Sequence, residues 1–210
     1  MPRIADHHAR RLQFAQAVWA VIAEHGIEGV TFRRVAAEAG ASVGRLQHYY
    51  DSREQLIQDS CRQMIALAAR LHLGGDVEPS EDETAGRAEA DPREQLYALL
   101  RHGIPEGLAT RRGIAVWSAY QAKSVDDSVI AALIAEAERS AVAHAAHLIA
   151  AVQHRMPPSE VPAEDLALEL LALAQGLASR VLTGSLDADT ALAVLDRRLT
   201  REGLSASCSS

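Results

Sequence analysis

Aromatic side chains are scarce in this 210-residue chain: two Phe, two Trp and four Tyr account for 4% of it. That is too few for a multi-aromatic ligand cage to be read from the sequence. Cysteine is scarcer still. Cys61 and Cys208 stand far apart and outside any CxxC spacing, Cys61 in a helical stretch and Cys208 in a polar tail, so no structural disulfide is expected. Lys123 is the only lysine, although arginine is plentiful. The chain has no run of about 18 apolar residues to span a bilayer, and no apolar stretch behind a basic start. The expectation is a soluble, cytoplasmic protein with no membrane partner. There is no G-x-S-x-G elbow, P-loop, H-E-x-x-H or supported Cys–His arrangement, so no enzyme and no cofactor are expected. His144 and His147 are spaced i, i+3, with His154 further on, but no nearby acid or cysteine completes a metal site.

What is present is helical. Alanine and leucine dominate, helix breakers cluster at a few places, and neither strand alternation nor an internal repeat is visible, which predicts an all-α chain. The net charge of −7 argues against a nonspecific nucleic-acid coat, but the charge is unevenly placed. Residues 1–72 hold nine Arg against seven acids and five of the nine histidines, and the remainder is strongly acidic. A mildly basic N-terminal unit on an acidic body suits one face meeting phosphates.

Apolar residues at helical spacing (Leu12, Ala15, Val18, Trp19, Ile22) predict a first helix from about 7 to 25, closed by Gly26. Thr31 and Ser42 are natural N-caps for short helices over 32–39 and 43–50. A longer helix follows over 53–73. Residues 74–92, with Gly74-Gly75, Pro79, Pro92 and seven acids opposed only by Arg87, read as an acidic mobile linker. Further helices are expected at 93–103, 105–122, 126–155, 163–183 and 188–202. The units expected are a helical head over 1–52, a connecting helix 53–73, the linker 74–92, a helical body 93–203, and a disordered tail 204–210.

The most specific stretch is 31–53. A helix-turn-helix needs a small residue at the crossing and one tolerant of positive φ in the turn, which Ala36 and Gly40 supply. Val35, Leu46 and Tyr50 can form its core. Val43, Gly44, Arg45, Gln47, His48 and Tyr49 are then left outward. Arg45 can make bidentate bonds to guanine, Gln47 can pair with adenine, Val43 can touch a thymine methyl and Gly44 permits close approach. Those four are the candidate base readers. Thr31, Arg33, Ser42, His48, Tyr49 and Arg53 are the candidate phosphate anchors.

Residues 8–57, and the run GIEGVTFRRVAAEAGASVGRLQHYYDSREQLI within them, resemble the N-terminal domain of the tetracycline-repressor family of bacterial regulators. Gly26, Thr31, Ala36, Gly40, Leu46, Tyr49, Tyr50, Arg53 and Leu56 stand at the family's positions. Gln47 replaces a usual aromatic, and Arg53 a common lysine. The resemblance implies an all-helical homodimer, usually a repressor, with a small-molecule effector in its C-terminal domain. The stretches TRRGIAVWSAYQAKSVDDSVIAALIAEAERS and LLALAQGLASRVLTGSLDADTALAVLDRRL are similar to the betaine/choline-type repressor branch.

From the residues themselves, two long amphipathic helices near the C-terminus could pair with their copies as a four-helix interface, matching a palindromic operator. Ile134, Ala141, Leu148, Leu170, Leu173, Leu177 and Val181 are the candidate interface residues. A purely intramolecular core is the other reading of the same helices. Tyr97, Leu100, His102, Ile104, Trp117, Tyr120 and Gln121 are the candidate effector pocket, with ordinary core packing as the other reading of each. The expectation is therefore a dimeric repressor on double-stranded operator DNA, released by an effector. Alternatives are an activator, a nucleoid-type binder without effector, or a non-DNA-binding interaction protein retaining the fold.

Overall fold

The computed structural model describes the backbone of residues 2–72, 91–154 and 161–205, with side chains from residue 7 onward. The expected linker (apart from its last two residues, 91 and 92) and the tail from residue 206 lie outside the described residues. Among these, nine α-helices and no strand are present: α1 Pro2–His25, α2 Phe32–Glu38, α3 Val43–Gln47, α4 Arg53–His72, α5 Pro92–His102, α6 Leu108–Lys123, α7 Ser128–Gln153, α8 Ala163–Leu182 and α9 Ala188–Arg201. Two compact units result, Met1–Ala68 with Ala115–Ala137, and Ala69–Ile114 with Glu138–Ser210. α6 and α7 each contribute to both.

In the first unit, α1 buries Phe14, Ala17, Val18, Val21 and Ile22 along one face. The helix stops at Gly26, whose φ of 69° is left-handed backbone that glycine alone adopts without strain. A short 3₁₀ turn over Ile27–Gly29 leads to α2. There Gly29 packs so tightly on the end of α1 that a Cβ would fall 2.5 Å from the Cβ of His25. The Thr31 hydroxyl accepts from the Arg34 backbone N–H at 3.2 Å, and the Ser42 hydroxyl accepts from the Arg45 backbone N–H at 3.2 Å. Both caps are where the sequence predicts them. α2 and α3 are separated by Gly40, with φ 61°.

The third helix is shorter than expected. It ends at Gln47 rather than Tyr50, because the backbone N–H of Tyr49 turns to the Leu46 carbonyl, three residues back, at 3.0 Å. Residues 48–50 therefore form a tightened turn. Ala36, Val35, Leu46 and Tyr50 are all buried in this unit's core, together with Val116, Tyr120, Ile130 and Ile134 from α6 and α7.

The second unit is built around α5, the C-terminal part of α7, α8 and α9. Asp91 caps α5, accepting from the Arg93 backbone N–H at 3.1 Å, and Pro92 occupies its first turn. Leu96, Leu100 and Ile104 pack with Leu148, Ile149 and Val152 of α7, Leu166, Leu170 and Leu177 of α8, and Leu195 and Leu199 of α9. Leu204, expected at the start of the tail, is instead fully buried, and its N–H closes α9 by donating to the Leu199 carbonyl at 2.9 Å. The Arg111 guanidinium donates to the carbonyls of Val181 and Leu182 at the C-terminus of α8, where partial negative charge gathers.

Candidate nucleic-acid interface

α3 is only five residues long, and five residues do not hold a helix by their own hydrogen bonds. Its orientation comes from what it buries. Leu46 is fully buried, and Tyr50, at the end of the following turn, is 2% exposed. The Tyr50 hydroxyl donates to the Asp59 carboxylate of α4 at 2.8 Å. Asp59 is itself 3% exposed, and the same carboxylate accepts from Arg11 at 3.3 Å and Arg62 at 3.2 Å. One buried carboxylate thus ties α1, α4 and the turn after α3. Burial, with the hydrogen bond to Asp59, pushes the Tyr50 hydroxyl far above the ordinary phenol range, so it stays protonated as a donor.

With that side fixed, the opposite edge is open. Val43, Gly44, Arg45, Gln47 and His48 are exposed, interrupted only by buried Leu46, and Thr31, Arg33 and Ser42 are exposed as well. Val43 is among the few large apolar side chains left to solvent, at 38% exposure. The position a Gly44 Cβ would occupy has no neighbour within 4 Å, so packing within the chain does not require glycine there. An exposed apolar residue, a bare backbone position, a guanidinium and an amide on one short helix match base edges better than they match water.

Neighbouring arginines are used differently. Arg34 donates to the Gly29 carbonyl at 3.1 Å. Arg53, expected as a phosphate anchor, donates to the carbonyls of Val30 at 2.7 Å and Ile27 at 2.8 Å, and pairs with Glu28. It braces the turn before α2, which sets its Nε and one terminal nitrogen on the protein itself. Arg33 and Arg45 are exposed and enter none of the described ion pairs. Tyr49 is half-buried, packed edge-on to Phe14 at 5.3 Å between ring centroids and flanked by the imidazoles of His7 and His48. The Asp59 hub and the His7 contact had no signal in the sequence, since Arg11 and His7 on α1 lie tens of residues from Asp59 and Tyr49.

The candidate effector residues divide between the two cores. Leu100 and Ile104 are buried in the second unit, with half-buried Tyr97 packed against them and His102 exposed. Trp117 and Tyr120 belong to the first unit's core, where Gln121 is half-buried. Tyr120 is fully buried there. The Ser60 hydroxyl gives its single proton to the Ile57 carbonyl at 2.7 Å, so the Tyr120 hydroxyl, 2.7 Å away, is the donor to Ser60. Trp19 donates to the Ser60 carbonyl at 3.1 Å, and Gln58 donates to Asp127, the cap of α7, at 3.0 Å. The pieces of α6 and α7 in this unit are therefore latched to α4.

The candidate dimer residues also separate. Ile134, Leu148, Leu170, Leu177 and Val181 are each at most 7% exposed within a single chain. A side chain already buried at home has almost no surface to give a partner, so these serve the chain's own cores; Ala141 and Leu173 are half-buried. On α8, Leu168, Ala172, Gln175, Gly176 and Ser179 face outward as one helical stripe offset from the expected one, beside exposed Glu164, Asp165, Glu169 and Arg180. α7 leaves Ala143, His147 and Ala150 outward in the same way, with exposed His154 just past its end.

A family model described as bacterial regulatory proteins of the tetR family matches residues 16–59, and one described as the C-terminal domain of BetI-type transcriptional repressors matches 92–203. The HTH-type transcriptional regulator PksA of Bacillus subtilis is 36% identical over 124 residues, 58% of this chain and 55% of that one, so the match spans about half of PksA's length. The HTH-type transcriptional regulator BetI 2 of Chromohalobacter salexigens is 28% identical over 182 residues, 84% of this chain and 79% of the other. Among solved structures, a transcriptional regulator from Saccharomonospora viridis in complex with choline superposes with a TM-score of 0.78, covering 92% of this chain and 96% of that one at 24% identity, a likeness of fold. The matching families are transcriptional regulators and not enzymes.

Proposed function

Since the chain belongs to the tetR family of bacterial transcriptional regulators and carries a BetI-type C-terminal domain, we propose that it is a ligand-released repressor that binds a palindromic operator as a homodimer. The observation that carries the reading is the exposed edge Val43-Gly44-Arg45-Gln47, held outward by buried Leu46 and Tyr50. On this reading Val43, Gly44, Arg45 and Gln47 meet base edges. Thr31, Arg33, Ser42, His48 and Tyr49 meet phosphates, and Arg53 shapes the turn that presents Thr31 and Arg33.

The dimer forms through the stripes that α7 and α8 leave exposed, where Ala143, Ala150, Ala172 and Gly176 allow helices to approach closely. A coupling of about 1–3 kcal/mol between effector and operator would weaken DNA binding roughly 5–150-fold, enough to relieve repression. The effector acts through the C-terminal domain. The S. viridis regulator was crystallised with choline, which makes a quaternary ammonium compound the first ligand to test.

The test is a gel shift on DNA from immediately upstream of the protein's own gene, with and without choline. The reading expects a retarded band at matched salt that random DNA does not compete away, and its loss with effector. A band retarded equally on random DNA would favour the nucleoid-type alternative. Absence of any band would favour a non-DNA-binding protein that keeps the fold.

A further inference from the structure

Three consecutive residues of α4 each hold a different element of the first unit. The Gln58 amide donates to both oxygens of Asp127, at 3.2 and 3.0 Å. Asp59 accepts from the Tyr50 hydroxyl in the turn after α3, and from Arg11 of α1. Ser60 meets the Tyr120 hydroxyl of α6 at 2.7 Å, and its carbonyl accepts from the Trp19 indole of α1. Successive side chains on a helix point about 100° apart, so this one turn of α4 is gripped from several sides.

Asp127 is itself fixed. Its Oδ1 also accepts the backbone N–H groups of Val129 and Ile130, at 3.0 and 3.1 Å, which caps α7. The carboxylate therefore cannot follow Gln58 without releasing its own helix. That matters for the α3 edge because the turn after α3 is anchored to Asp59, the residue beside Gln58. Slipping α4 by one residue would carry each side chain about 1.5 Å along the axis and about 100° around it, which breaks the 2.8 Å bond to Tyr50. Side chains that recognise a ligand have to be held within about 0.5 Å of their productive place.

We propose that Gln58 and Asp127 are a positioning pair for DNA recognition. The turn between α6 and α7, which carries Asp127 69 residues beyond Gln58, fixes the turn of α4 that anchors the recognition helix. The inference rests on the DNA-binding reading above and adds two residues that act without touching DNA. The Gln58 amide is spent on Asp127, and a carboxylate repels phosphate. Loss of the pair therefore lowers discrimination between sequences rather than general attraction to DNA.

The experiment measures the affinity of the full chain for a duplex it selects from a random-sequence library and for a random duplex, by fluorescence anisotropy at one salt concentration. The ratio of the two is the readout, because partial unfolding or a changed net charge alters both affinities together. Gln58→Ala should lower the ratio at least about fivefold, the low end of the cost of one misplaced bidentate base contact. Gln58→Glu should lower it at least as far, since two carboxylates then face each other. Gln58→Glu combined with Asp127→Asn should bring the ratio back to within about twofold of wild type. Donor and acceptor then exchange ends, while the amide oxygen at position 127 still caps α7. A Gln58→Ala ratio within about twofold of wild type, or a double variant no better than Gln58→Glu, overturns the proposal. A wild type that prefers no sequence overturns the DNA-binding reading itself, and the role of this pair with it.

Discussion

Replacing Asp59 tests how the short recognition helix is held. The carboxylate is 3% exposed and accepts from Tyr50, Arg11 and Arg62 at 2.8, 3.3 and 3.2 Å. In Asp59→Ala the buried Tyr50 hydroxyl loses its acceptor, which costs about 1–3 kcal/mol. Arg11 and Arg62 are 37% and 53% exposed, so they regain water, and losing their pairs adds less than about 1 kcal/mol each. The expected total is about 2–4 kcal/mol. Asp59→Asn keeps an oxygen for Tyr50 but puts an NH2 where Oδ1 accepts from Arg11 and Arg62, so it loses the two exposed pairs and should cost about 1–2 kcal/mol, and Tyr50→Phe, which leaves the carboxylate its two arginines, should cost about 1 kcal/mol. Urea denaturation followed by helical circular dichroism measures all three. If Asp59→Ala lies within about 0.5 kcal/mol of wild type, or if Asn costs as much as Ala, the hydroxyl–carboxylate bond is not what anchors the turn after α3.

Other outcomes follow from the same structure. Gly29→Ala should lower stability by about 1–3 kcal/mol in a thermal melt, because its Cβ would sit 2.5 Å from the Cβ of His25 on a helix that cannot yield without moving. Burial pushes the Cys61 thiol up to about 12. Its contribution is therefore complete below about pH 9 and lost as pH rises toward 12, and Cys61→Ala should flatten part of the alkaline loss of stability by up to about 1.4 kcal/mol per pH unit. Leu168, 59% exposed on α8, should convert a dimer to folded monomers when changed to Glu, whereas Leu170→Glu, at a fully buried position, should unfold the chain. Light scattering with circular dichroism separates those two results.

The all-α architecture was legible because each long helix carries an apolar stripe and a visible stop. Gly26, Gly40, Ser42 and Asp91 punctuate the chain by local chemistry that does not depend on distant partners. The recognition segment was readable for the same reason: the burial of Leu46 and Tyr50 follows from their spacing alone. What was not legible depends on tertiary neighbours. Leu170 and Leu168 are two residues apart on one helix, one buried and one outward, and periodicity alone does not say which side of a helix rich in apolar residues meets its own chain. Arg53 and Arg45 look alike in sequence, yet the Ile27 and Val30 carbonyls lie within reach of one and no described ion pair engages the other. Trp117 and Tyr120 stood out as rare aromatics and pack in the first unit's core, Tyr120 tied to Ser60 across sixty residues of chain.

The most direct test of the central claim is the affinity of wild type and Arg45→Ala for the protein's own selected duplex and for random duplex, at one fixed salt concentration. Wild type should prefer the selected sequence by at least about 10³-fold. Arg45→Ala should lose about 1–3 kcal/mol on that sequence and much less on random DNA, relaxing specificity at a guanine. If Arg45→Ala binds both duplexes as wild type does, the exposed edge of α3 does not read DNA.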